Sequence, residues 1–368
     1  MRDWGAVAFL FVLIAVLTLA FFLLGRGPRT GAPSPAQAPP SQGAAPAAPD
    51  DTARFWQAVK DHSPLYTSVE YDCLVCGTKM QLPEKTRGNR MGGVATDVMS
   101  LALAPNPAGK GRPDLSRQDF DLLWGTCPKC GATYAEYDMP NLRLPKFAEK
   151  LRKWDLKKAA PSLAATPKDK WTPEERILAH YLTQQQAGIP ESELGFSVLS
   201  GAYSANLSVY LGRKHAVPAD AFYALSAAHL AEALKSDTTL TSTPKAITAM
   251  TLGEELRLLG RVEEARQAFA QARALYEENP KVPLSEGQQK EKDNALAVLK
   301  QLEDLLNQGN TNLERAEVPD LPRPPVGWYL DEMLPAMNGD IAYHRKDWSA
   351  PSTPAEIEAR ILALLSKP

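Results

Sequence analysis

The 368 residues contain no glycine-rich phosphate-binding loop, no HExxH and no GxSxG. Nucleotide hydrolysis, zinc-protease chemistry and α/β-hydrolase chemistry are thereby left without their usual machinery. Arg87–Gly93 is rich in glycine but follows no strand-then-helix pattern and reads as a mobile loop. Histidine is scarce: His62, His180, His215, His229 and His344 are scattered, and none pairs with Cys, Ser or Asp at motif spacing. An excess of one charge is lacking too. Lys and Arg total 41 against 43 Asp and Glu, a formal net charge of −2, which argues against nucleic acid as a partner. Cysteine occurs four times, only in two CxxC pairs, which excludes the dispersed disulfide framework of a small secreted domain.

Apolar residues make up 44% of the chain, and their first concentration is at the N-terminus. Residues 1–24 include an uncharged run to Leu24 in which Thr18 is the only polar side chain. About 20 such residues span the hydrocarbon core of a bilayer, whereas the apolar part of a signal peptide is about 7–15 residues long. The nearest Ala-x-Ala, Ala36-Gln37-Ala38, lies well downstream and is followed by Pro39. The expectation is an uncleaved transmembrane anchor in a single-pass protein of a bacterial inner membrane. Arg2 precedes the run and Arg26 and Arg29 follow it, so flanking charge barely distinguishes the two sides. Unpaired thiols favour the cytoplasm for the remainder of the chain, with the periplasm as the alternative. Residues 25–50 form a Pro/Ala-rich linker without apolar periodicity, an extended spacer, and a short capped helix is expected from Asp50.

Chemistry is concentrated in the region 51–140. Cys73-Leu74-Val75-Cys76-Gly77 and Cys127-Pro128-Lys129-Cys130-Gly131 are two CxxCG knuckles. In such a knuckle a tight turn aims two thiolates at one ion, and glycine relieves the backbone just past the second ligand. Two knuckles give tetrahedral sulfur coordination, the pattern of a closed structural zinc site. Fifty residues separate the knuckles, so that segment must loop out and return. Iron in a rubredoxin-like site uses the same four ligands and would give a redox or metal-responsive protein. Two separate dithiol pairs are a further alternative in an oxidising space. Catalytic zinc fits least, because four thiolates leave no position for water.

Beyond the cysteines the chain reads as mainly α. Pro145 to Asp155 forms a short basic helix within a run, 143–170, that holds nine Lys/Arg and reads foremost as a solvated face. Capping signatures stand at Thr172-Pro173-Glu174-Glu175, at Ser285 with Gln288, and at Thr353-Pro354-Ala355-Glu356. Helices are expected over Glu191–Leu211, over Pro218–Leu234, from Thr243 to about Leu259, and over Val262–Glu278. Leu296, Leu299, Leu302 and Leu306 form an apolar stripe. Leu252, Gly253, Leu256, Gly260, Ala265, Phe269 and Ala272 match the spacing of a tetratricopeptide (TPR) helical hairpin. Stepping back 34 residues places Lys235 under Phe269, so a second repeat of that period is degenerate. These signals place a TPR-like α-helical domain over 141–310. Residues 311–368 read as a proline-rich strap, packing Trp328, Tyr329, Tyr343 and Trp348 onto the helices, followed by a last helix from Thr353; the alternative for the run Pro319–Pro325 is a polyproline II ligand for a partner's aromatic groove.

The two knuckles, the sequence Trp124-Gly125-Thr126 before the second of them, and the pattern from Leu252 to Ala272 together resemble a bacterial family known chiefly as a domain of unknown function. Its N-terminal zinc ribbon precedes TPR-like helices. The resemblance covers about residues 70–275 and implies zinc bound by Cys73, Cys76, Cys127 and Cys130, but no reaction. The anchor, linker and strap depart from it. The functional expectation is therefore a non-enzymatic, membrane-anchored interaction or scaffold module with a protein partner.

Overall fold

The computed structural model describes residues 66–85, 94–96, 102–105, 124–135, 138–210, 215–238, 240–278, 284–314 and 327–366. All of them belong to Phe55–Pro368, one of two compact units in the chain. The expected anchor, the linker, the Asp50 helix, the 87–93 loop, the Pro319–Pro325 run and His62 lie outside the described residues. Among the described residues no helix is long and apolar enough to cross a membrane.

The described residues form three antiparallel hairpins: β1 (Tyr66–Asp72) with β2 (Lys79–Lys85), β3 (Val94–Thr96) with β4 (Ala102–Pro105), and β5 (Trp124–Thr126) with β6 (Thr133–Ala135). Along β2, buried Met80 and Leu82 flank exposed Gln81, the period-two alternation of a strand with one covered face. Gly125 lets β5 lie directly on β2, since a Cβ there would stand 2.3 Å from the Gln81 carbonyl oxygen. In β6, Thr133, Tyr134 and Ala135 are all buried.

Among the described residues twelve α-helices follow: α1 (Met139–Leu142), α2 (Pro145–Leu151), α3 (Leu156–Ala159), α4 (Pro161–Ala165), α5 (Pro173–Ala187), α6 (Glu191–Tyr210), α7 (Ala219–Ser236), α8 (Ser242–Leu258), α9 (Val262–Glu277), α10 (Glu286–Asn307), α11 (Gly327–Trp348) and α12 (Pro354–Leu365). The three capping boxes form at the N-termini of α5, α10 and α12, each with reciprocal bonds between the cap side chain and the N3 residue. Each box satisfies two backbone N–H groups that the helix itself cannot. The basic run is solvent-facing, with Arg143, Lys146, Lys150, Arg152, Lys153, Lys157 and Lys158 all exposed.

α8 and α9 form the hairpin expected from Leu252 to Ala272. Gly253 permits their close approach, for a Cβ there would stand 2.4 Å from the Phe269 ring. The same device recurs between α6 and α7, where Gly201 faces Phe222 at 2.4 Å and Gly195 faces Leu230 at 2.5 Å. One apolar core runs from Cys73, Leu82 and Tyr134 through Tyr181, Phe222 and Phe269 to Ile361, so the cysteine hairpins and the helices share an interior.

The strap expected over 311–368 is corrected by α11, a helix of 22 residues that contains Pro335. Proline removes one helical hydrogen bond. Burial of Met337, Ile341 and Trp348, at intervals of whole helical turns, supports the helix despite that loss. Trp348 packs inward as expected; Tyr343 does not, being 70% exposed.

Two arginines fasten α8 to the turn after α10. Fully buried Arg257 pairs with Glu254 through Nε at 2.6 Å and Nη2 at 2.7 Å, and it also donates to the carbonyls of Asn310 and Asn312. Arg345 on α11 donates to the carbonyls of Leu258 and Thr311, each at 2.7 Å.

Because the ring of Phe269 occupies the space of a missing Cβ, Gly253→Ala is expected to destabilise the protein by about 1–3 kcal/mol, as overpacking does. A fall in the urea unfolding midpoint without a change of slope would register it. An unchanged midpoint would mean that the helices can separate without cost.

Candidate metal centre

Each CxxC forms the turn of a hairpin. Cys73–Cys76 joins β1 to β2, and Cys127–Cys130 joins β5 to β6. The two turns repeat the same backbone pattern. Cys73 N–H donates to the Thr78 carbonyl at 3.0 Å, and Gly77 N–H to the Cys73 carbonyl at 2.9 Å. Cys127 N–H donates to Ala132 at 2.8 Å, and Gly131 N–H to Cys127 at 3.0 Å. Gly77 and Gly131 take φ of 68° and 73°, the left-handed conformation that L side chains resist.

The sequence separates the pairs by fifty residues; the structure brings them together. Cys73 Sγ lies 3.5 Å from Cys130 Sγ, and Cys76 Sγ 3.6 Å from Cys127 Sγ. All four sulfurs fall within 4.8 Å of one another. With metal–sulfur bonds of about 2.3 Å, tetrahedral geometry sets the sulfurs about 3.8 Å apart, so the cluster has the dimensions of a four-sulfur metal site. None of the four cysteines is in a disulfide. Cys73 and Cys127 are buried, Cys76 and Cys130 partly so.

The electrostatics are those of sulfurs forced together. Hydrogen bonds from Cys127 and Cys130 hold the Cys73 thiol far below the ordinary thiol range. Cys127 and Cys73 in turn push Cys130 far above it. The first thiolate thus forms readily and opposes those that follow. A divalent cation at the centre would remove that opposition, and its binding would release protons.

Supporting groups surround the sulfurs. Tyr134 Oη lies 3.6 Å from Cys73 Sγ, and burial, followed by the charge on Cys73, keeps its phenol protonated. Thr78 Oγ1 is 3.3 Å from Cys76 Sγ. Trp154 Nε1 donates to the Cys130 carbonyl at 3.1 Å, tying the second knuckle to the turn after α2. Thr133 N–H donates to Thr183 Oγ1 at 3.1 Å, tying β6 to α5.

The histidines are not as isolated as their sequence spacing implies. His180 Nε2 is 2.5 Å from Asp138 Oδ2, and its Nδ1 is 3.2 Å from Ser197 Oγ. A carboxylate only accepts, so Nε2 donates to Asp138, and Nδ1 faces the Ser197 hydroxyl. This has the connectivity of a Ser-His-Asp triad, but Ser197 sits within α6. Backbone N–H groups there are committed to carbonyls four residues back, leaving no donor pair to hold an oxyanion. Asp138 also accepts from Ala135 N–H at 2.9 Å and Gln184 Nε2 at 3.0 Å, which makes it a clamp between β6 and α5. In a second network His229 bridges Glu191 at 2.5 Å and Tyr181 at 2.9 Å, and Tyr181 donates to Glu358 on α12 at 3.0 Å. A third group joins His215, Asp340 and His344. The partners of His180 and His229 are 17 to 48 residues away, beyond any local motif.

Asp138→Asn replaces an accepting oxygen by a donor amide within a buried set of donors. A loss of about 2–3 kcal/mol is expected, the scale of a hydrogen bond to a charged group plus an unsatisfied partner. Chemical denaturation checks it, and a wild-type midpoint would show that β6 does not depend on this clamp. Comparisons with protein-family models, with curated proteins and with solved structures find no match to this chain, so its functional reading rests on these side chains.

Proposed function

We propose that Cys73, Cys76, Cys127 and Cys130 hold one structural zinc ion in a ribbon-like site, and that the protein is a membrane-tethered, non-catalytic interaction module. The observation that carries the zinc reading is the sulfur spacing of 3.5 and 3.6 Å between the two knuckles. Soft thiolate donors in this number favour zinc or iron, and four of them close the coordination sphere against water. The unfolded chain has no such site, so binding contributes to folding by an amount on the order of 10 kcal/mol. Because the knuckles share the helical core, the ion would brace the whole body and not the hairpins alone.

The interaction role is supported by the helical hairpins α6/α7 and α8/α9, read as TPR-like, and by an apolar side chain left on their surface. Phe196 on α6 is 40% exposed, one of two large apolar residues so placed among those described. The tether is supported by the apolar run in residues 1–24, and unpaired thiols suit a cytoplasmic body. The bacterial ribbon-plus-TPR family remains the proposed kinship.

Zinc is tested by treating the full-length protein, purified in detergent without added metal, with a thiol-modifying reagent. One equivalent of zinc is expected to be released per chain from a colourless sample. A red, iron-containing protein would replace this reading with electron transfer. The interaction role is tested by Phe196→Glu, which is expected to deplete the partners crosslinked to the protein in cells while the unfolding midpoint stays unchanged. An identical crosslinking pattern would remove this helical face from consideration.

A further inference from the structure

Asp340 and His344 stand one turn apart on α11, a spacing that puts both side chains on one face of the helix. His215, in the segment leading into α7, meets them there. Its Nε2 lies 3.2 Å from Asp340 Oδ1, and His344 Nε2 lies 3.8 Å from the same oxygen. The three ligand atoms fall within 4.8 Å of one another. With metal–ligand bonds of about 2.0–2.2 Å, two atoms bound to one ion stand about 3.0–3.6 Å apart, close to these separations.

A hydrogen bond between His215 and Asp340 explains the shortest distance but not the neighbourhood. Asp340 Oδ2 and His215 Nδ1 are both buried without a partner. Asp220, at the start of α7, is fully buried, and neither of its oxygens is bonded beyond its own backbone N–H. Asp340 is close enough for its charge to act on Asp220. Arg345 donates through Nε and Nη2 to the carbonyls of Leu258 and Thr311, and its charge offsets part of that on Asp220. Burial pushes the Asp220 carboxyl up to about 8, so a proton or a cation must compensate it, and the unpartnered Oδ2 of Asp340 and Nδ1 of His215 stand beside it as free ligand atoms.

We propose that His215, Asp340 and His344 form a second divalent-metal site, separate from the cysteines, for a first-row transition ion. Two imidazoles and one carboxylate are harder donors than thiolates and suit a different set of ions. Three protein ligands leave room in the coordination sphere for a water or an external ligand, unlike a closed four-sulfur site. The side chains of His215, Asp340 and His344 are 14%, 17% and 25% exposed, so the cluster lies at the surface and not in the sealed core.

The test is a cobalt(II) titration of the full-length protein carrying one equivalent of zinc, which fills the four-cysteine site and leaves the second site open. One equivalent of cobalt is expected to bind, giving weak visible bands without sulfur-to-cobalt charge transfer. His344→Ala and Asp340→Asn are each expected to weaken that binding by at least about tenfold. Zinc content should stay at the wild-type value in both variants, and the cobalt-free unfolding midpoint should stay there in His344→Ala, since His344 is partly exposed. No cobalt binding, binding unchanged in both variants, or binding accompanied by thiolate charge transfer would each overturn the site.

Discussion

Four sulfurs held within 4.8 Å of one another oppose each other's ionisation, and both cysteine turns fix them there through backbone bonds independent of the sulfurs. Much of the arrangement around β2, β5 and β6 follows from that constraint. Two hairpins must meet turn to turn, so β5 passes over β2 at a glycine. β6 is then enclosed on both faces. Tyr134, Thr78 and Trp154 bring hydroxyl and indole groups to the sulfurs or their carbonyls, and Asp138 and Thr183 fix the second hairpin to α5. The cysteine centre is thus a corner of the common core, not an appendage.

Much of this was legible in the sequence because the signals are local. A CxxCG knuckle, a capping box and a glycine facing an aromatic across a short turn each encode their geometry within a few residues. The four cysteines and the three capped helix starts stand where those signals put them. The α6/α7 hairpin was harder to see as kin to α8/α9. Its Gly201–Phe222 contact spans a different number of residues from Gly253–Phe269, so a fixed step of 34 residues misses it. The likeness lies in the contact and not in the period.

What sequence reading missed depends on long-range placement. Proline-rich flanks and Pro335 disguised α11, because proline argues against a helix unless burial outweighs the lost bond. With the helix hidden, the one-turn spacing of Asp340 and His344 carried no meaning. The His180 and His229 networks had no local signature, since the fold alone brings their partners near. Boundaries drawn at 140 and 310 follow changes in composition, whereas the core crosses both without a break.

The hydrogen bonds from α12 back to the earlier helices bear on the order in which the body can be completed. Tyr181 donates to Glu358, 177 residues later, and Ser162 donates to the Leu362 carbonyl, 200 residues later. During synthesis α5 and α7 emerge well before the helix that finishes this network, and for that interval the hydroxyl of Tyr181 has His229 and Gln185 but not its carboxylate. Contacts of such separation are slow to close. Until α12 has emerged, the nascent chain lacks the helix that covers this seam.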